Sequence, residues 1–196
     1  MVKTSVEELK KLFDDVVSGK LTVEKRMLLG CRVISGGKEK FKAAAVNEVF
    51  ITAGEPYRII ELKISVDGEP LASCESDGLI ISTPTGSTAY NLSAGGPILA
   101  SQMEAVVITP ICPHSLSFRP IVISAESKVE VVGIRVNKGT TISLDGQISL
   151  GLSEDDLVIV EKEESDFLVV NNPLRTKWDT LAAKLSWAEK PKYKND

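Results

Sequence analysis

Apolar residues recur at intervals of three and four along the first segment of the chain, a spacing typical of an amphipathic helix. The residues that share this spacing are Val6, Leu9, Leu12, Phe13, Val16 and Val17. Ser5 precedes them and is followed three residues later by Glu8, which is typical of a capping box, and Gly19 is placed to end the helix. The pattern predicts one helix near the N-terminus, with these apolar residues on one face.

Beyond this helix, apolar and polar residues alternate over short stretches, as they do in β-strands. Asp67-Gly68 and Asp145-Gly146 each lie between two such stretches and predict tight hairpin turns, and Ser35-Gly36-Gly37-Lys38 predicts another. Further strands are predicted at 46–52, 79–83, 119–123, 129–136, 157–161 and 168–170. Short strands at this density favour a mainly β fold, a β-sandwich-like domain, over a βαβ repeat.

A second helix is predicted at 176–189, where apolar residues again recur at helical spacing. Its predicted inner face consists of Trp178, Leu181, Ala182 and Leu185. The last seven residues, 190–196, are predicted to form a frayed tail. A length of 196 residues is typical of one domain, so we expect a single domain over 1–196 with a helix at each end.

The charge balance excludes one class of function. The chain has 23 Lys and Arg against 27 Asp and Glu residues, a formal net charge of −4. Proteins that track nucleic-acid phosphates need clustered basic residues in excess, so we expect no nucleic-acid partner. The apolar runs are too short to span a bilayer and the N-terminus has no apolar signal core. We therefore expect no membrane partner and a soluble, cytoplasmic protein.

Few side chains show the spacing of a metal or nucleophile site. The cysteines, Cys31, Cys74 and Cys112, have no C-x-x-C spacing and predict neither a disulfide framework nor a zinc site. His114 is the only histidine, and no nucleophile-elbow motif accompanies it. We therefore interpret His114 as a loop or pocket-lining residue rather than a member of a catalytic triad.

The stretch 77–97 departs from ordinary β-protein sequence. An apolar strand runs into a turn rich in Pro, Gly, Ser and Thr, and a short helix is predicted to start near Thr88. This order directs several backbone N–H groups and hydroxyls to one spot, which suits a phosphate, a ribose or a base edge. The stretch is not a P-loop, since it lacks the Gly-Lys-Ser/Thr ending. A tight turn whose Ser and Thr only cap the helix explains the same residues equally well.

Asn47-Glu48 places an amide and a carboxylate at the start of a predicted strand. Such a pair can bind a ribose or a base edge, although a solvated strand end is the more common use of this pattern. Asp77 and Asp145 each precede a glycine, and turn formation explains both from spacing alone. The residues by themselves leave these alternatives open.

The same residues carry a resemblance to a known family. The sequence at 77–97, Asp-Gly-Leu-x-x-x-Thr-Pro-Thr-Gly-Ser-Thr-Ala-Tyr-x-Leu-Ser-x-Gly-Gly-Pro, resembles the signature of the NAD kinases, the phosphotransferases that convert NAD to NADP. Asn47-Glu48, the segment 109–116 and Asp145-Gly146-Gln147 resemble further motifs of that family, and Lys184-Leu185-Ser186-Trp187 resembles its closing helix. The resemblance covers essentially the whole chain.

The resemblance implies a fold similar to the C-terminal domain of NAD kinases and a set of NAD-binding residues. Asn47 and Glu48 are expected to contact the adenine and ribose. The adenosine pocket is expected to be lined by Thr88, Ala89, Tyr90, Asn91 and Ser93. Weaker candidates, at a site shared with a neighbouring subunit, are Arg58, Asp77 and Gln147. NAD as substrate, ATP or polyphosphate as phosphoryl donor, Mg²⁺ and a homo-oligomer are all implied by the family.

One part of the family pattern does not occur in the sequence. NAD kinases have an N-terminal α/β domain with a Gly-Gly-Asp-Gly motif, whose aspartate is taken as the general base, and these 196 residues contain no such motif. We therefore expect the chain to correspond to the second domain, to contain no catalytic residue and to be inactive alone. The alternative is a non-catalytic nucleotide-binding, regulatory or oligomerisation module derived from the kinase. Glu75 is a smaller departure, because many bacterial members carry a basic residue there.

Overall fold

The structure is a computed structural model that describes residues 4–55 and 59–185. The described chain divides into two compact units. One unit comprises residues 25–167, and the other comprises the described residues up to Glu24 and from Leu168 onward. The expectation of a single domain over 1–196 stays a prediction.

The helices and strands follow one another from the N-terminal helix to the C-terminal helix. In chain order they are α1 (Val6–Val17), β1 (Val23–Ser35), β2 (Lys38–Ala45), β3 (Glu48–Thr52), β4 (Ile60–Val66), β5 (Glu69–Ser76), β6 (Gly78–Ser82), a 3-10 turn (Gly86–Thr88), α2 (Tyr90–Ser93), β7 (Ala105–Ile111), β8 (Ile121–Ser124), β9 (Val129–Arg135), β10 (Thr141–Leu144), β11 (Ile148–Gly151), β12 (Leu157–Val170) and α3 (Lys177–Leu185). None of the described helices has the length and apolar character needed to cross a membrane.

The strands form two six-stranded sheets. The first has the order β2-β1-β12-β9-β4-β5 and the second the order β11-β10-β3-β6-β7-β8. Buried side chains from both sheets, among them Leu62 and Val131 of the first and Ile51 and Ile81 of the second, belong to one apolar core. The prediction of a mainly β, sandwich-like fold is confirmed, and the predicted hairpins join β1 to β2, β4 to β5 and β10 to β11.

The N-terminal helix begins at its predicted cap. The Ser5 hydroxyl accepts a hydrogen bond from the Glu8 N–H at 3.1 Å, and the Glu8 carboxylate accepts one from the Ser5 N–H at 2.9 Å. Gly19, just beyond the helix, has a φ of 67°, which favours glycine. Of the six apolar residues that share one face, Leu12 is buried and the other five are 41–71% exposed. The prediction of the helix is therefore confirmed.

The C-terminal helix differs from its prediction in the exposure of its expected inner face. It is described as Lys177–Leu185, and the rest of the predicted helix, with the tail 190–196, lies outside the described residues. Trp178, which was expected on the inner face, is 70% exposed, and Ala182 is also exposed. Helical spacing thus identifies the helix but not which side packs against protein.

Two stretches that were predicted as separate strands form one strand. The stretches 157–161 and 168–170 belong to the continuous 14-residue strand β12. The charged residues between them lie within this strand, and Lys162 pairs with two carboxylates. Its ammonium donates to Glu104 at 2.6 Å and Glu126 at 2.9 Å, and these hydrogen bonds raise the pKa of Lys162.

Candidate functional site

The glycine-rich stretch after β6 is held by its own buried side chains. The Thr83 hydroxyl donates to the Val46 carbonyl at 2.7 Å and accepts from the Gly86 N–H at 3.0 Å. The Ser87 hydroxyl donates to the Pro84 carbonyl at 2.7 Å and accepts from the Leu99 N–H at 3.0 Å. These hydroxyls are buried and engaged within the protein, so they shape the turn rather than face a ligand.

Asn91 is part of the same internal scaffold. Its side chain is fully buried, and its amide nitrogen donates to the carbonyls of Ser87 and Pro97, both at 3.1 Å. Its amide oxygen accepts from the Thr109 hydroxyl at 2.7 Å. Gly96 lies against this amide so closely that a Cβ there would overlap it. The Asn91 side chain is therefore engaged within the protein, and its assignment as an NAD-binding residue stays a prediction.

Neighbouring residues of the stretch are accessible. Tyr90 is 37% exposed, Thr88 and Ala89 are half-buried, and Ser93 is exposed. The Tyr90 ring meets the Phe50 ring edge-on, with centroids 5.3 Å apart and an interplanar angle of 88°. This contact attaches α2 to β3 and leaves part of the Tyr90 ring open to solvent.

The Asn47-Glu48 pair lies directly against this stretch. The Asn47 carbonyl accepts from the Thr83 N–H at 2.8 Å, and a Cβ on Gly86 would overlap the Asn47 backbone. Glu48 begins β3 and alternates in register with Phe50, so the two side chains share one face of the sheet. Val49 and Ile51 point to the apolar core, which places Glu48, Phe50 and the Tyr90 contact on the opposite face. Residues that are about forty positions apart in sequence thus meet at one end of the second sheet.

Asp145 is a residue of this region whose contacts the sequence did not reveal. It lies in the turn between β10 and β11, and its carboxylate accepts hydrogen bonds from three consecutive backbone N–H groups. These are the N–H groups of Val46 at 2.8 Å, Asn47 at 2.8 Å and Glu48 at 3.0 Å. Its own N–H donates to the Glu48 carbonyl at 3.0 Å. The Asp-Gly spacing indicated the turn, but no sequence signal indicated the strand whose backbone the carboxylate holds.

Of the three weaker candidates, the structure describes Gln147 and Asp77 and places them apart. Gln147 is exposed in the β10–β11 turn, two residues from Asp145 and therefore at the Asn47 end of the sheet. Asp77 is exposed at the opposite end of β6, and six residues of extended chain to Thr83 span roughly 20 Å. The structure therefore does not bring Asp77 to the stretch that contains Tyr90. Arg58 lies outside the described residues.

Glu75 and His114 lie at the Asp77 end. The Glu75 carboxylate accepts from the Arg135 guanidinium at 3.1 Å, and its backbone carbonyl accepts from the His114 N–H at 2.9 Å. Both side chains are exposed. The departure from the family pattern at Glu75 is thus matched by a basic partner on β9.

No group of three His, Cys, Asp or Glu side chains within the described ranges could hold a metal ion. Cys31 and Cys74 are buried, and burial raises the pKa of the Cys31 thiol to about 12. Cys112 is exposed.

Comparison with known proteins identifies the family. The model of the ATP-NAD kinase C-terminal domain matches residues 46–172, which include both halves of the site described above. The chain belongs to the NAD kinase family. It is 41% identical to the NAD kinase of Desulforamulus reducens over 83% of this chain and 56% of that protein. It is 38% identical to the NAD kinase of Thiobacillus denitrificans over 95% of this chain and 64% of that protein.

Solved structures of NAD kinase relatives have the same fold. A yeast NADH kinase complexed with NADH superimposes with a TM-score of 0.85 at 31% identity, over 97% of this chain and 56% of the yeast chain. An NAD kinase from Archaeoglobus fulgidus in complex with ATP gives a TM-score of 0.79 at 26% identity, over 95% of this chain and 69% of that chain. The chain therefore spans little more than half to two thirds of the length of these NAD kinases.

Proposed function

We propose that this chain is the NAD-binding domain of an NAD kinase, a phosphotransferase that makes NADP from NAD. The observation that carries the proposal is the contact between Gly86 and Asn47, since it unites the two sequence motifs that the family resemblance assigns to NAD. The NADH-bound yeast relative and the ATP-bound archaeal relative support a nucleotide as the ligand class.

In this proposal the nucleotide lies on the face of the second sheet that points away from the core. Asn47 supplies an amide and Glu48 a carboxylate to the adenine and ribose. The open part of the Tyr90 ring packs against the adenosine, and the edge-on Phe50 ring holds Tyr90 in place. Thr88, Ala89 and Ser93 complete the lining of the pocket. The hydrogen bonds of the Asn91 side chain fix the turn and the helix that present these residues.

We assign Asp77, Arg58 and Gln147 to a site completed by a neighbouring subunit, in a homo-oligomer that works in the cytoplasm. Within one copy Asp77 lies roughly 20 Å along β6 from Thr83, so this assignment places it at the pocket of another copy. β5 and β8 are edge strands of the two sheets, and edge strands are where such an assembly can pair.

The phosphoryl donor is ATP or polyphosphate, and the reaction depends on positioning and charge neutralisation. Mg²⁺ is the ion that the family resemblance implies, and the described residues do not provide a ligand set of three His, Cys, Asp or Glu side chains for it. No Gly-Gly-Asp-Gly motif occurs in the sequence, so a general base of the family type is lacking and the chain alone is expected to be inactive. This lack equally favours the second candidate function, a non-catalytic nucleotide-binding or assembly module.

The test measures binding and turnover separately. Calorimetry with NAD is expected to give weak, saturable binding, and incubation with NAD, ATP and Mg²⁺ to give no NADP in a coupled dehydrogenase assay. Addition of a family N-terminal domain in trans is expected to produce turnover, and binding without turnover under that condition favours the non-catalytic module. Lack of NAD binding would contradict the proposal, and turnover by the chain alone that Asp77→Asn abolishes would place the base within it.

A further inference from the structure

Three consecutive backbone N–H groups that converge on one point form a site for an anion. In this protein the convergence occurs at Val46, Asn47 and Glu48, and the anion is the carboxylate of Asp145, at 2.8–3.0 Å from the three nitrogens. Both carboxylate oxygens accept at least one of these bonds, so the group is bound to the backbone rather than directed at a substrate. The turn residue therefore acts on the very pair that is proposed to bind NAD.

We propose that Asp145 is a positioning residue of the nucleotide site, which fixes the backbone of Asn47-Glu48 and thereby the direction of their side chains. The inference rests on the proposed function, since it concerns NAD affinity. Further hydrogen bonds connect this backbone to the glycine-rich turn. The carbonyls of Val46 and Asn47, on the other side of the same peptides, accept from Thr83, and Thr83 in turn accepts from the Gly86 N–H. Asp145 is thus the first link of a chain of bonds that runs from the β10–β11 turn to the glycine-rich turn.

The chain contains a matched control for this role. Asp67 also precedes a glycine in a hairpin turn, and it has a φ of 54° against 51° for Asp145. Among the described residues its carboxylate accepts from one backbone N–H, that of Lys128 at 2.8 Å, and its own N–H donates to the Lys128 carbonyl. The two aspartates therefore have the same turn chemistry, but only Asp145 holds the Asn47-Glu48 backbone.

The experiment compares Asp145→Gly with Asp67→Gly. Glycine accepts a positive φ without strain, so each substitution removes the carboxylate and leaves the turn conformation accessible. NAD affinity is measured by NMR titration, with thermal melts of the same samples. We expect Asp145→Gly to lose about tenfold in affinity, which corresponds to about 1.4 kcal/mol. We expect Asp67→Gly to bind as the wild type does.

Acetate supplies the atoms that Asp145→Gly removes and distinguishes positioning from general stability. At neutral pH, acetate is expected to shift the amide signals of Val46, Asn47 and Glu48 in Asp145→Gly and to restore much of the NAD affinity. Sodium chloride at equal ionic strength is expected to restore none. In Asp145→Asn the side-chain amide fills the same space, so acetate is expected to have no effect while affinity remains reduced.

Several results would overturn the inference: unchanged NAD affinity in Asp145→Gly, an equal loss in Asp67→Gly, or an equal recovery with acetate and chloride. Failure of both Asp145 variants to fold would also overturn it, because the carboxylate would then serve the fold as a whole. These results differ from a failure of the proposed function, in which the wild-type chain itself does not bind NAD.

Discussion

Substitution of Gly86 by alanine tests the close approach on which the site is built. A Cβ at this position would lie 2.6 Å from the Asn47 Cα and would overlap the Asn47 carbonyl group, whereas ordinary contact begins near 3.4 Å. The two backbone segments must therefore separate by at least about 0.8 Å. Both are backbone and neither can rotate away, so the Thr83 bonds to Val46 and Asn47 have to lengthen or break.

Overpacking of this kind costs roughly 1–3 kcal/mol, and we expect Gly86→Ala to lower the free energy of unfolding by that amount. We expect NAD affinity to fall by a factor of about ten or more, because Asn47 moves relative to Tyr90. Denaturant unfolding measures the first effect and titration with NAD the second. Gly151→Ala is the control, since a Cβ there meets nothing within 4 Å. If Gly86→Ala matches Gly151→Ala in both measurements, the close approach does not organise the site.

Three further predictions concern single side chains. Tyr90→Ala should weaken NAD binding by about 1–2 kcal/mol while the melting temperature changes little, and unchanged affinity would remove the ring from the site. Asn91→Ala should lower the free energy of unfolding by about 2 kcal/mol or more, because it leaves buried partners unsatisfied, and a melt like that of the wild type would contradict its scaffold role. Burial raises the pKa of Asp156, but hydrogen bonds, including one from Lys40 at 3.3 Å, lower it below its usual range overall. The stabilising effect of Asp156 is then present above pH ~4 and lost at lower pH, so the stability difference between wild type and Asp156→Asn should shrink on acidification. A pH-independent difference would refute this.

The hairpins were predictable because the chemistry that forms them is local. Asp67-Gly68 and Asp145-Gly146 need a positive φ at adjacent positions, and both turns occur with those angles. By contrast, β7 was not predicted. Six of its seven residues are buried, so both faces of the strand are covered and its sequence shows no alternation of apolar and polar residues. Local turn residues therefore identify the hairpins, whereas the burial of β7 leaves no alternation that would indicate it.

The candidate site was predicted in part. The family resemblance identified the Asn47-Glu48 pair and the stretch around Tyr90, and the structure brings them together. It did not distinguish Asn91, which is buried, from its accessible neighbours, because a helical turn places successive residues on different sides. Nor did it indicate the contacts of Asp145, which lie 97–99 positions away in sequence.

The most direct test of NAD binding by this chain is an NMR titration of the isotope-labelled protein with NAD, which reports weak binding and its location together. We predict saturable shifts of the amide signals of Asn47, Glu48, Thr88, Ala89 and Tyr90, with smaller changes at Asp67 and its neighbours in the β4–β5 turn. Adenosine alone should shift the same signals, since the site is proposed to hold that half of the nucleotide. An absence of saturable shifts, or shifts confined to residues away from the Asn47 end of the second sheet, would contradict the account.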